Sequence, residues 1–335
     1  MKLRDIGEFG LIYKVTAPFM DELPEGWTGV GDDCAVIPTT PGRVQVVTTD
    51  MLVENTHFIL ANTTPEDLGY KALAVNLSDI AATGATPRSA FISLAIPTHV
   101  EVEWISRFYA GLHELATQSG TLLLGGDTTR SPGDLVISIT IFGDMAAADV
   151  KLRSLARPGD LVCLSGTIGD SPAGLRLLLD GVYDDTNPDH RALARMHHRP
   201  RPHLEEGLWL ASHPAIHGMM DVSDGIDSDL RRIMEQAKVG MEIHLDALPI
   251  SPQLQRVCRE QGWDAAHLAA TGGEDYCLVC TIDAQAFPRI SQDFSHHFGT
   301  LLKAIGRVTS QPETFSYTCN GAAVTLAGHG FDHFT

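Results

Sequence analysis

Basic residues are scarce in this chain: 24 Lys and Arg stand against 42 Asp and Glu, a formal charge of −18 over 335 residues. Such a balance repels nucleic acid and anionic membrane surfaces, so a polyanionic partner is expected only where cations mediate. Also missing is any uninterrupted apolar run of the ~18 residues that a membrane span needs. Lys2, Arg4, Asp5 and Glu8 put charges where a signal peptide would carry its apolar stretch, and the chain is expected in the cytoplasm. Six cysteines, at positions 34, 163, 258, 277, 280 and 319, are too sparse for a secreted disulfide scaffold, and reduced thiols are expected. Cys277 and Cys280 form a Cys-x-x-Cys, but no second ligand pair stands at zinc spacing, and the segment reads as a buried strand. Neither a Gly-x-x-x-x-Gly-Lys-Ser/Thr loop nor the protein-kinase signature set occurs, which excludes both common ATP sites. Fixed-period repeats and low-complexity tracts are absent too, which excludes solenoids.

What is present is an ordinary globular composition, 44% apolar, at a length that suits two domains. Strand and helix signals alternate throughout, predicting a mixed α and β (α/β) fold. A β-branched run at 44–49 ends in Asp50. Thr64, Pro65, Glu66 and Asp67 then supply a cap, a first-turn proline and early acids for a helix running to about Thr83. A strand is expected at 90–96, an amphipathic helix carrying Trp104, Phe108, Leu112 and Leu115, a short strand at 122–124, and another strand at 134–143. Small and polar residues at 145–149 place a boundary near 148, dividing the chain into 1–148 and 149–335. The second half predicts helices from about Ser171, at 203–211 and at 225–237, and strands near Leu161, Met219, Met241, Tyr276, Lys303 and Ala322.

Five acidic motifs fall beside strand ends or glycines: Gly31-Asp32-Asp33, Thr48-Thr49-Asp50, Asn76-Leu77-Ser78-Asp79, Gly125-Gly126-Asp127 and Asp221-Val222-Ser223-Asp224-Gly225. Any one alone reads as a turn or a helix cap. Together, beyond the carboxyl ends of strands, they suit a ligand site. Two carboxylates ~4 Å apart repel by roughly 4 kcal/mol at an effective dielectric of 20, so converging aspartates need cations. Oxygen donors without paired His or Cys favour Mg²⁺, which is commonly shared with substrate phosphates. Gly166-Thr167-Ile168-Gly169-Asp170-Ser171 is compatible both with a phosphate cradle on helix-start amides and with a plain strand-to-helix turn.

These motifs, with Gly7-Glu8-Phe9, the segment 67–84, Thr128-Thr129-Arg130 and Gly272-Gly273-Glu274-Asp275-Tyr276, closely resemble the thiamine-monophosphate kinase family in order and spacing along nearly the whole chain. The wider superfamily includes aminoimidazole ribonucleotide synthetase and selenide water dikinase, and the resemblance implies its two-domain ATP-binding fold. An N-terminal sheet domain would dimerise and a C-terminal α/β domain would complete the site. The expected partners are ATP, several Mg²⁺ ions, thiamine monophosphate and a second copy of the chain. By position, the resemblance implies metal ligands Asp33, Thr48, Thr49, Asp50, Asp79, Asp127, Asp221 and Asp224. Nucleotide contacts would be Tyr109, Gly126, Asp127, Arg153 and Ser223, and acceptor contacts His57, Glu274 and Phe331. Asp50, Asp127 and Arg153 would serve catalysis.

The implied chemistry is consistent with the residues. A phosphomonoester has a second pKa of ~6, so at neutral pH it is already an anionic nucleophile, and catalysis reduces to positioning and charge neutralisation. Two alternatives stand beside this reading: another enzyme of the superfamily, such as selenide water dikinase, whose reactive cysteine in a glycine-rich N-terminal segment is missing here, and a non-catalytic divalent-cation-binding protein.

Overall fold

A computed structural model describes residues 25–28, 31–326 and 330. Its first sheet is built from β1 (Ala35–Pro38), β2 (Arg43–Val53), β3 (Thr86–Pro97), β4 (Leu122–Ser131) and β5 (Val136–Ala146), in the order β1-β2-β5-β3-β4. Only β3 and β4 run parallel, joined by the crossover helix α2 (Val102–Ser119); the other neighbours are antiparallel. Helix α1 (Pro65–Thr83) lies between β2 and β3, and its bounds follow from local chemistry. The Thr64 hydroxyl accepts from Asp67 N–H at one end, and Gly84 closes the other in the left-handed conformation.

One face of this sheet is covered. Along β2, Val44, Val46, Thr48 and Leu52 alternate inward, and β5 does the same with Ile137, Ile139 and Ile141. Helix α1 packs on that face, and α2 lies against α1. The helices approach closely because a Cβ at Gly69 would sit 1.9 Å from Phe108 O and one at Gly111 1.8 Å from Glu66 O. The opposite face is open, with Met51 56% and Phe91 41% exposed, and the edge strand β4 presents Leu122 and Leu124 to solvent.

The second sheet has seven strands in the order β12-β11-β8-β10-β6-β9-β7. They are β6 (Leu161–Leu164), β7 (Ile216–Asp221), β8 (Gly240–His244), β9 (Leu278–Ile282), β10 (Lys303–Thr309), β11 (Phe315–Cys319) and β12 (Ala322–Val324). Around it lie α3 (Asp170–Leu179), α4 (Pro188–His198), α5 (Leu204–Ala211), α6 (Ile226–Ala237), α7 (Pro252–Gln261), α8 (Ala265–Thr271) and α9 (Phe287–Phe298). Helix α1 also touches α5 and β7, so it is enclosed on all sides. Fifteen of its 19 residues are buried, which explains why its apolar residues are not confined to one stripe and why its polar Lys71, Asn76 and Ser78 are buried with them. Among the described residues no helix is long and apolar enough to cross a membrane.

The predicted mixed α and β architecture is present. The short strand expected at 122–124 instead continues through Gly125-Gly126-Asp127 to Ser131, because β3 offers a parallel partner along that whole length. Cys277 and Cys280 are buried, with Cys280 inside β9.

Candidate active site

An open cavity of about 1180 Å³ is lined by residues of β2, α1, α3 and α4, by the segment 55–63 and by the loops around Asp33, Ser223 and Glu274. Three carboxylates converge on its wall. Asp33 precedes β1, Asp79 lies on α1, and Asp221 ends β7; one oxygen of each lies within 4.8 Å of the others. Each comes from a different element, so the cluster exists only when both sheets are docked on α1. Asp50 and Asp224 line the same cavity. The inward alternation of β2 directs Thr48 toward α1, where its hydroxyl donates to Asp79 Oδ2. Asn76, one turn before Asp79, accepts the Asp50 N–H at 3.0 Å. Ser78 Oγ donates to Asp221 Oδ2 at 2.6 Å, joining the two halves of the chain.

This much negative charge in little water is unfavourable, and the acids respond. Burial, reinforced by neighbouring aspartates, pushes Asp50 up to about 6 and Asp221 up to about 8. Asp79 is raised well above the carboxylate range for the same reasons. Asp32, buried beside Asp33, is pushed up to about 7, although it accepts a hydrogen bond from Arg153 N–H. The donors are hard oxygens from several elements and lack a His or Cys within the converging set, which fits Mg²⁺. Two arginines temper the repulsion. Arg153 pairs with Asp33, and Arg232 Nη2 reaches Asp224 Oδ2 at 2.5 Å.

Facing the acids, the loop 272–276 folds back on the segment 221–225. Glu274 N–H donates to Ser223 O at 2.7 Å and Tyr276 N–H to Val222 O at 2.8 Å. A Cβ at Gly273 would stand 2.4 Å from Ser223 O, so this approach requires glycine. Burial works against the charge of the Glu274 carboxylate, but Lys71 and His197 more than offset it and hold the group below the usual carboxylate range. His57 also lines the cavity, its Nδ1 accepting from Val53 N–H at 3.0 Å. Phe58, Pro172, Leu175 and Leu178 add apolar lining to the same cavity.

Not every expected site residue joins this cavity. Tyr109, Gly126 and Asp127 line a separate cleft of about 410 Å³ between α2 and β4. In register, Asp50 pairs with Ile139, Ile139 with Ile92, and Ile92 with Gly126. Gly126 is therefore three strand spacings from Asp50, roughly 14 Å at ~4.8 Å each. A Cβ at Gly126 would lie 1.7 Å from Ile92 O, with φ at +157°. Alternation puts Asp127 on the open face of the sheet, together with Thr49. The Thr49 hydroxyl donates to Ile139 O at 3.0 Å, and Asp127 Oδ1 accepts from Thr128 N–H. Phe331 and Gly7-Glu8-Phe9 lie outside the described residues.

The Gly166–Ser171 turn has its own occupant. The N–H groups of Gly169 and Ser171 donate to the Asp275 carboxylate at 2.6 and 3.2 Å, so a side chain already sits at this helix start. Sequence reasoning also passed over Lys71, His197 and Arg232. Their only local signal is a charge in a buried or cavity-lining position, which periodicity does not mark.

Comparison with known proteins matches residues 31–145 to the family described as AIR synthase related protein, N-terminal domain, and residues 157–318 to its C-terminal domain. The thiamine-monophosphate kinase of Bacillus subtilis (strain 168) is 35% identical over 333 residues, covering 98% of this chain and 99% of that protein. That of Haemophilus influenzae is 37% identical over 338 residues, with 98% of each covered. The solved structure described as "AaThiL complexed with AMPPCP and TMP" superposes with a TM-score of 0.87 at 31% identity, covering 100% of this chain and 99% of that one. The thiamine monophosphate kinase of Aquifex aeolicus gives a TM-score of 0.80 at 30% identity, covering 97% of this chain and 99% of that one.

Proposed function

From its place among the thiamine-monophosphate kinases, the family to which this chain belongs, we propose how its residues carry the transfer of a phosphoryl group from ATP to thiamine monophosphate. The observation that carries this reading is the convergence of Asp33, Asp79 and Asp221 in a cavity that is also lined by the apolar Phe58, Pro172, Leu175 and Leu178. One site thereby offers both a place for a cation-bound polyanion and apolar surface for a heterocycle.

Asp33, Thr48, Asp50, Asp79, Asp221 and Asp224 hold Mg²⁺ in this reading. Bound there, Mg²⁺ neutralises the phosphate charge that would otherwise repel five carboxylates. Arg153 and Ser223 face the nucleotide phosphates, and Arg153 supplies a fixed positive charge beside the transferred group. Glu274 and His57 contact the acceptor, together with Phe331. The acceptor phosphate is the nucleophile and reaches the site already ionised.

Tyr109, Gly126, Asp127 and Thr49 enter through a second copy. The open sheet face with Met51 and Phe91, and the apolar edge at Leu122 and Leu124, support a homodimer packed there, since an unpartnered edge of this kind invites association. Asp127 and Thr49 lie on that face, so dimerisation brings them to a site shared between copies. We place the division between the two domains near residue 148.

Phosphorus NMR of the protein with ATP, MgCl₂ and thiamine monophosphate tests the reaction. New diphosphate signals that require all three components are expected, whereas ATP consumption without a phosphorylated thiamine product would refute the acceptor.

A further inference from the structure

Lysine is rarely enclosed without a partner, yet Lys71 on α1 is only 2% exposed. Its Nζ lies 2.9 Å from each oxygen of the Glu274 carboxylate. His197 Nδ1 stands 3.0 Å from Oε2, which identifies Nδ1–H as the donor when the ring is neutral. An ionised carboxylate offers about four lone-pair positions. Lys71 takes one on each oxygen and His197 takes the second on Oε2, leaving one on Oε1. Glu274 lines the cavity, and its own backbone is held in the left-handed region at φ +65°, uncommon for a residue with a side chain. Pro172, beside Gly272, and Leu175 add apolar wall to the same cavity.

We propose that Lys71, assisted by His197, is a positioning residue for the phosphoryl acceptor: it fixes the inner edge of the Glu274 carboxylate and leaves Oε1 to accept the amino group of the acceptor's aminopyrimidine. The proposal rests on the kinase reading above and adds what orients the far end of the substrate. Lys71 comes from the first half of the chain and Glu274 from the second, so acceptor recognition is tied to the docking of both sheets on α1. A carboxylate held in this way also selects against acceptors that lack the donor, because its remaining position would then be desolvated and unpaired.

The test compares Lys71→Met, Glu274→Gln and the double variant with the unaltered full-length protein. Two acceptors are used: thiamine monophosphate and 4-methyl-5-(2-phosphoethyl)thiazole, which lacks the pyrimidine. Direct binding of each is measured by calorimetry alongside turnover. Lys71→Met is expected to raise KM and Kd for thiamine monophosphate by about 10- to 100-fold, leave KM for ATP within about twofold, and leave the thiazole phosphate nearly unchanged. The double variant, with no charge left unpaired, should regain thermal stability but not the lost affinity. Equal losses on both acceptors, a raised KM for ATP, or full recovery of affinity in the double variant would overturn the proposal. If the unaltered protein binds thiamine monophosphate in the predicted Lys71-dependent way yet never phosphorylates it, the kinase reading fails and the positioning role stands. Intact turnover with no effect of Lys71→Met is the converse.

Discussion

Arg153 grips Asp33 through two nitrogens, Nη2 2.6 Å from Oδ1 and Nε 3.2 Å from Oδ2, with both side chains nearly excluded from solvent. Burial alone would discourage the guanidinium charge, but Asp33 and Asp32 more than compensate and raise its pKa. The pair closes the segment 31–33 onto the start of the second half of the chain, where Arg153 N–H also meets Asp32 Oδ2 at 3.1 Å. Removing one member of such a pair leaves a buried charge, which costs about 3–5 kcal/mol. Arg153→Ala should therefore lower stability by about that amount in chemical denaturation. MgCl₂ should restore more stability to the variant than it adds to the unaltered protein, since a cation can replace the lost partner. Equal Mg²⁺ effects on both proteins would remove Asp33 from the proposed cation site.

The roughly 14 Å row between Asp50 and Gly126 leads to a sharper test of the shared site. Asp50→Asn and Asp127→Asn should each lower turnover by at least ~100-fold while circular dichroism and melting stay close to those of the unaltered protein. If Asp127 acts on a second copy, mixing the two variants after subunit exchange should recover about a quarter of full activity, because half the dimers are mixed and each of those has one intact site. Asp127 acting within its own protomer predicts no recovery. Light scattering at micromolar concentration should report a dimer.

Much of this was legible in the sequence where a single local rule decides. Thr64, Pro65 and Gly84 mark the ends of α1 through capping and backbone preference, and the structure has those ends. The acidic motifs were legible as candidates because glycine and aspartate cluster in them, but their placement was not: only Asp221 closes a strand, while Asp50 lies within β2, which runs on to Val53, Asp127 lies within β4 and lines a separate cleft, and Asp79 lies on α1. The continuation of β4 past Gly125 was not legible either, since it depends on a parallel partner, β3, brought alongside by a crossover helix. The ambiguity of Gly166–Ser171 was likewise settled by Asp275, more than 100 residues away. Lys71 and Glu274 are separated by 203 positions, and no local pattern links them.

Acidification should expose the neutral histidine beside this ion pair. Burial, with His197 and Lys71 nearby, pulls His198 down to about 4, while Asp67 and Glu274 oppose the shift. The unfolded chain, with an ordinary value of 6.5, binds this proton first. The stabilising contribution is therefore complete above about pH 6.5 and is lost as pH falls toward about 4. Its size is on the order of 2 kcal/mol once partial exposure is allowed for, enough to move Tm by several degrees. His198→Gln should thus melt progressively higher relative to the unaltered protein between pH 7 and 4. A Tm difference that stays constant over that interval would exclude His198 as a source of the pH dependence.

Acceptor ionisation provides the last test. Thiamine monophosphate offers a phosphate oxygen that is largely deprotonated above its second pKa of ~6, whereas free thiamine offers a hydroxyl whose proton must leave during attack. General-base help typically contributes 10²–10⁴-fold, and the proposed mechanism assigns no residue to that task. With saturating ATP and MgCl₂, kcat for thiamine should therefore fall below that for thiamine monophosphate by at least ~100-fold. The rate with thiamine monophosphate should rise between pH 5 and 7 as its second proton is lost. Comparable kcat values for the two acceptors would mean that a side chain in the cavity removes the hydroxyl proton, and the role of the carboxylates would have to be divided between cation binding and base catalysis.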